Sequence, residues 1–214
     1  MRLLLPLGKL LTFAFKLLYN ELAWTYDWVS RLVSMGQWRS WQRAALPYLH
    51  GRRVLEVAHG TGDMLLDLTA LGFEPIGLDL SAAMGRTARR KLRSHGLVPT
   101  LVGGRVQALP FPNNAFPSLL STFPAEFIMH PQAIAEFHRV LQPGGVLVFV
   151  PSAQITSLSL ADRWAEWLFR ITGQSAHEWW ASVLDRYTAA GFTARVEQVR
   201  LPRSIVIVVV AEKR

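Results

Sequence analysis

An α/β fold built on a doubly wound sheet is what this 214-residue chain predicts, on three observations. Between Val54 and Met84, a short apolar run is followed by a small-residue turn, a helical stretch, a second apolar run and an acid. Strand, glycine turn, helix, strand, acid is the nucleotide-binding half of such a sheet. Further short apolar runs then alternate with helical spacing, as far as Val150. Near the end, Ile205-Val206-Ile207-Val208-Val209-Val210 suits a strand buried on both faces.

Composition sets the outer bounds. The length suits one domain with a full core, with no internal repeat and no linker. The absence of cysteine excludes disulfides, zinc-thiolate sites and thiol nucleophiles. A formal net charge of +8 attracts nucleic acid, anionic membrane or acidic ligands without choosing among them. Trp24, Trp28, Trp38 and Trp41 precede the glycine turn, and Trp164, Trp167, Trp179 and Trp180 fall in one late segment, so the nucleotide region between has none.

Residues 1–18 are a leucine and phenylalanine run with Arg2, Lys9 and Lys16 at heptad spacing, which keeps the three charges near one helical face. The lysines interrupt the run well before the ~20 apolar residues that a spanning helix needs. A secretory leader is a rival reading, disfavoured because Leu22-Ala23-Trp24 and their neighbours offer no small-x-small cleavage site. The expectation is a helix lying in an anionic membrane interface; a helix packed on its own domain or within a homodimer is the alternative. From Tyr19 to His50 helical spacing continues through Trp28, Leu32, Val33, Trp38, Trp41 and Leu46, ending at Pro47 and Gly51. Residues 1–50 are thus an N-terminal helical extension and 51–214 the sheet domain.

The first strand is Val54–Val57 and the turn is Ala58-His59-Gly60-Thr61-Gly62. A dinucleotide fingerprint would need glycine where Leu65 stands. Read as Glu-x-(Gly)-x-Gly-x-Gly, Glu56 to Gly62 resembles the first motif of class I S-adenosylmethionine (SAM)-dependent methyltransferases, with Ala58 in place of the first glycine. Alanine resists positive φ and adds a methyl group to the pocket floor. The helix after the turn starts at Asp63, and the strand from Pro75 ends on Asp79, which is placed to accept from ribose hydroxyls.

Ser81 reads as the N-cap of a helix that reaches Gly96 with a basic face of Arg86, Arg89, Arg90, Lys91 and Arg93, expected to be its solvated side, with a polyanion site as the alternative. Leu101–Gly104 is a third strand. The next segment, Arg105-Val106-Gln107-Ala108-Leu109-Pro110-Phe111, closely resembles the G-D-A-x-x-L-P-F segment of the family that includes the ubiquinone and menaquinone biosynthesis enzymes. That family's aspartate is Arg105 here, which cannot accept from an adenine amino group. Ser118–Phe123 is the fourth strand, with Phe116-Pro117 standing where the family has F-D. Gln132–Leu141 is a helix with Ile134, Phe137, Val140 and Leu141 facing inward. Arg139 to Gly145 matches the family's R-V-L-x-P-G-G turn, a tight reversal into a fifth strand, Val146–Val150. Thr193–Leu201 and Ser204–Ala211 form the closing pair.

The resemblance implies a Rossmann-like, seven-stranded methyltransferase sheet and SAM as cofactor. It implies cofactor contacts from Glu56, Ala58, Gly60, Gly62, Asp79, Leu80, Val106, Gln107 and Phe123, with no metal. It makes Tyr26 and Asp27, in an A-x-x-Y-D stretch, lid residues, and puts Trp164 and Trp167 in the region that builds substrate specificity. Candidate bases, needed only if the acceptor must lose a proton, are Glu126, His130 and His59 in that order. The expected acceptor is a lipophilic molecule, a quinone precursor or a phospholipid amine, met by a cytoplasmic enzyme peripheral on the membrane. RNA or protein methylation is the runner-up, disfavoured by the lack of an N/D-P-P-Y signature. A catalytically silent scaffold of the same fold is the reading of another class.

Overall fold

The computed structural model describes residues 34–156 and 179–214. Among these residues, seven strands form one sheet in the order β3-β2-β1-β4-β5-β7-β6. They are β1 (Arg53–Val57), β2 (Glu74–Asp79), β3 (Thr100–Gly103), β4 (Phe116–Thr122), β5 (Leu141–Ile155), β6 (Phe192–Leu201) and β7 (Ser204–Lys213). The first five are parallel, and β7 runs antiparallel between β5 and β6. Helices α1 (Trp38–Arg43), α2 (Asp63–Ala70), α3 (Ala82–Ser94), α4 (Pro131–Val140) and α5 (Trp179–Ala189) lie among them.

The strand period of two sorts neighbouring residues into two cores. Leu55, Leu119, Leu147 and Phe149 pack with Ile134, Phe137 and Val140 of α4 and with Val183 and Tyr187 of α5. Val54, Leu120 and Val148 face the other way, to Trp41 of α1 and Met64 and Leu68 of α2. Helix α3 joins that second layer through Ala88 and Leu92 against Leu65. Burying both faces explains why these strands read as continuous apolar runs.

Helix α1 is pinned at three points, one on α2 and two on the sheet. Arg43 grips Asp67 of α2 with two hydrogen bonds of 2.7 Å, and Arg39 adds another to the same carboxylate. Burial pushes the Asp67 acid up, but the two guanidiniums outweigh it and hold the carboxyl below its ordinary value. Gln42 Nε2 donates to Thr122 Oγ1 at 3.0 Å, and Trp41 Nε1 to Ser204 Oγ at 2.8 Å.

Three expectations need correction. Helical spacing predicts an unbroken run to His50; Met35 (φ 52°) and Gly36 (φ 81°) are left-handed and interrupt it, leaving α1 and a 3-10 turn at Leu46–Tyr48. Strand β4 begins at Phe116, so Pro117 lies inside it, where the register shifts between Phe116 and Ser118. Opposite that shift, Gln142 to Gly145 are not a separate reversal but an irregular stretch of β5: Phe116 pairs with Leu141 and Ser118 with Val146. Gly144, at φ 71°, supplies the bend.

Candidate functional site

The strand order reverses between β1 and β4, so the crevice at their C-terminal ends is where an open α/β sheet binds ligands. Each strand delivers one part of the site. From β1 come Glu56 and the turn; from β2, Asp79; from β4, Thr122 and Phe123.

The turn is built around left-handed backbone. Ala58, Gly60 and Gly62 have φ of 58°, 54° and 84°. A Cβ on Gly62 would stand 3.0 Å from the Ala88 methyl group, so close packing of α2 on α3 as well as φ demands glycine there. Ala58 takes a conformation that costs a non-glycine residue about 1–2 kcal/mol, while its N–H donates to Leu78 O at 2.7 Å. Ala58→Gly is therefore expected to raise stability by about 0.5–1 kcal/mol after glycine's extra chain entropy is subtracted. A denaturant midpoint that falls in this variant would mean the alanine methyl group packs better than its φ costs.

Asp79 is buried, and both its oxygens hold the site together. Oδ2 accepts from Gly60 N–H at 2.9 Å and Oδ1 from Ser81 N–H at 2.8 Å. Its backbone carbonyl accepts from Gly104 N–H at 3.1 Å, tying the exits of β2 and β3 together. Each carboxylate oxygen retains a second lone pair for a ligand hydroxyl. Next to it, Leu80 is 69% exposed, an apolar surface at the mouth of the crevice.

Glu56 is 1% exposed, and its Oε2 has no hydrogen-bond partner. Burial pushes this acid well above its ordinary value, and the charges of Asp63, Asp79 and Asp67 add to the push. A buried carboxyl among carboxylates with an orphaned oxygen fits a ligand that brings positive charge, as the sulfonium and ammonium of SAM do.

Lys91 corrects the reading of α3 as uniformly solvated. Its Nζ turns back to Asp63 Oδ1 at 3.0 Å and Thr61 Oγ1 at 3.1 Å, bracing the turn. The segment after β3 is braced by Arg139, read from sequence only as the start of the R-V-L-x-P-G-G match, and by Glu136, not singled out from sequence. Arg139 donates to Leu109 O at 2.9 Å and Phe111 O at 2.7 Å, while Glu136 accepts from Leu109 N–H at 2.6 Å. An acid and a base three apart on one helix, beside the L-P-F segment, were the available clue. Val106 is buried in the core, Gln107 is half-buried and Arg105 is exposed.

At the tip of β4, Phe123 has φ 51°, an outlier for a bulky residue and a mark of a constrained site. Trp38 stacks on it, with ring centroids 4.2 Å apart and planes 22° from parallel. The three candidate bases are placed differently. His59 is buried in the turn with Nδ1 2.9 Å from Gly60 O, and burial lowers its basicity. His130 is exposed and caps α4, its Nδ1 accepting from Gln132 N–H at 3.2 Å. Glu126 is exposed at the start of the 3-10 turn Glu126–Met129 that comes after β4. Tyr26, Asp27, Trp164, Trp167 and residues 1–18 lie outside the described residues. A cleft of about 360 Å³ lined by Leu65, Phe73, Leu97 and Thr100 also meets the first residues of β1, β2 and β3. It therefore opens at the opposite edge of the sheet from the crevice.

Residues 54–145 match the methyltransferase domain family. The chain is 37% identical over 137 residues to a demethylmenaquinone methyltransferase of Thermus thermophilus, covering 61% of this chain and 62% of that protein. It is 32% identical over 139 residues to a ubiquinone/menaquinone biosynthesis C-methyltransferase of Erwinia tasmaniensis, covering 61% and 55%. The chain thus spans about three-fifths of the length of the curated relatives it matches. Among solved structures, phosphoethanolamine N-methyltransferase 2 of Haemonchus contortus in complex with SAM shares the fold, with TM-score 0.61 and 15% identity over 83% of this chain and 53% of that one.

Proposed function

We propose that this chain, which is similar to the class I SAM-dependent methyltransferases of ubiquinone and menaquinone biosynthesis, transfers a methyl group to a lipophilic quinone precursor. The observation that carries the reading is the joining of Glu56, the left-handed turn Ala58–Gly62 and Asp79 at the strand-order reversal. The names of the relatives favour a quinone ring over a phospholipid amine as acceptor.

In this reading Asp79 holds the ribose, Leu80 packs on the adenine, and backbone groups around Val106 and Gln107 bind its edge in place of the missing aspartate. Glu56 faces the cofactor's positive charge. Bound SAM supplies an electrophilic methyl group on a sulfonium. The protein's part is to align the acceptor's nucleophilic atom with that methyl and to exclude water. Phe123, stacked by Trp38, forms a rigid wall for that alignment. Glu126 is the preferred base where the acceptor must lose a proton, since it is exposed beside the crevice strand. His59 is buried with Nδ1 beside Gly60 O and burial lowers its basicity, while His130 has Nδ1 committed to its cap, which leaves only its Nε2.

Residues 1–18 are proposed to dock on an anionic bilayer and present the acceptor to the lid at Tyr26, with Trp164 and Trp167 in its pocket. No helix among the described residues is long and apolar enough to cross a membrane. Incubation of the full chain with labelled SAM and reduced demethylmenaquinone in vesicles should label the quinone. Deleting residues 1–18 should lower that turnover without changing SAM affinity. SAM binding with label found only in RNA or protein would replace the acceptor class, and a folded protein that binds no SAM would leave the silent scaffold standing.

A further inference from the structure

Helix α3 carries Arg86, Arg89, Arg90 and Arg93 on one ridge, and no acid occurs anywhere in its sequence. At about 100° per residue the four fall within an arc of about 100°, opposite the buried stripe of Met84, Ala88 and Leu92. All four are exposed. None has an ion-pair partner among the described residues, whereas Lys91 of the same helix does. Four guanidiniums held side by side in water repel one another, so the ridge is a standing site of positive potential.

The loop at the end of the helix decides among anionic partners. Val98, in that loop between α3 and β3, is 96% exposed, and beside it Leu97 and Pro99 line the cleft at that edge of the sheet. A phosphate backbone offers nothing to a solvated valine, while the headgroup–acyl boundary of a bilayer covers it. Between Ser81 and Val98 there is no phenylalanine, tyrosine or tryptophan, so base stacking there would rest on the arginine planes and His95 alone, without the large aromatic platforms of single-strand binding grooves. We infer that the arginine ridge of α3, with Val98 at its end, is a docking surface for an anionic lipid bilayer, separate from residues 1–18. This inference does not depend on the methyl-transfer reading, because the ridge touches none of the cofactor groups. It gives that reading a consequence, since the helix begins at Ala82, just beyond Asp79 and Leu80 at the mouth of the crevice.

The test is sedimentation of the full chain, residues 1–33 intact, with phosphatidylcholine vesicles with and without phosphatidylglycerol at low salt. Each arginine near an anionic leaflet is worth about fivefold in partitioning. Replacing all four by Gln should therefore reduce binding by roughly 600-fold where the four contributions add, with SAM affinity and melting temperature unchanged. Val98→Asp should reduce it about tenfold on the same vesicles. If the fourfold variant does not fold, Arg89→Gln and Arg93→Gln singly should each cost about fivefold. Unchanged partitioning of the arginine variants, or equal binding of the parent protein to neutral vesicles, overturns the inference. So does an RNA oligonucleotide that binds through the same four arginines more tightly than the vesicles do.

Discussion

Asp79→Ala is expected to weaken SAM binding by more than tenfold while leaving the sheet intact. The carboxylate acts on both sides of the crevice. On the protein side it accepts from Gly60 and Ser81 N–H groups at 2.9 and 2.8 Å, which fixes the turn relative to the end of β2. On the ligand side its remaining lone pairs would accept from the ribose. Hydrogen bonds to a charged group are worth about 1.5–3 kcal/mol each, and tenfold in affinity is about 1.4 kcal/mol, so losing even one ribose contact reaches the expected effect. Alanine also leaves Gly60 and Ser81 N–H groups without their acceptor, which should lower stability by about 1–3 kcal/mol. Asp79→Asn keeps one acceptor oxygen and should fall between the two proteins. Calorimetry with SAM on the folded variants measures this directly, and wild-type affinity in Asp79→Ala would remove the residue from the cofactor site.

Glu56→Gln should move stability and binding in opposite directions. Burial and three nearby carboxylates raise the Glu56 acid in the folded protein above its ordinary value in the unfolded chain. The folded state therefore keeps its proton to higher pH. The associated stability is fully present below the ordinary carboxylate range and is lost as pH rises through the raised folded value. Glutamine cannot ionise, so the variant should melt higher than the parent above that window and show a flatter stability–pH curve. Its SAM affinity should fall at least tenfold, because the cofactor's positive charge favours release of the Glu56 proton on binding and glutamine cannot supply that counter-charge. A purely structural Glu56 would leave SAM affinity unmoved; that result would end the pairing of this acid with the cofactor.

The half of the fold from β1 to β2 is legible because its clues are local. A four-residue apolar run, glycines at fixed offsets and an acid at a strand end each leave a mark within a few residues. What stays hidden depends on distant partners or on backbone conformation. Methionine gives no warning that Met35 turns left-handed, and helical spacing on both sides conceals the break. Pro117 looks like a strand boundary; an irregular stretch of β5 opposite it lets the strand continue through the proline. Lys91 and Arg139 are indistinguishable from surface bases until the turn and the L-P-F segment are folded against them. For Ala58 the sequence speaks more sharply, since alanine's resistance to positive φ is plain from its chemistry and the structure imposes that φ nonetheless.

The position of β7 has a consequence for how the chain is made. Val146 to Phe149 of β5 pair with Glu212 to Val209, and every partner of β6 is also on β7. Synthesis reaches β5 and β6 before the strand that joins them. Until residues 204–213 have left the ribosome, one edge of a 15-residue strand with a fully buried Val148-Phe149-Val150 centre stands open, and β6 has no place in the sheet. At about 5–20 residues per second that interval lasts seconds, long compared with the microseconds in which hairpins close. During it the nascent chain presents a template for another chain's strand. Demand for chaperones, and yield that depends on expression temperature, are the expected cost of a sheet in which an interior strand is synthesised after both of its neighbours.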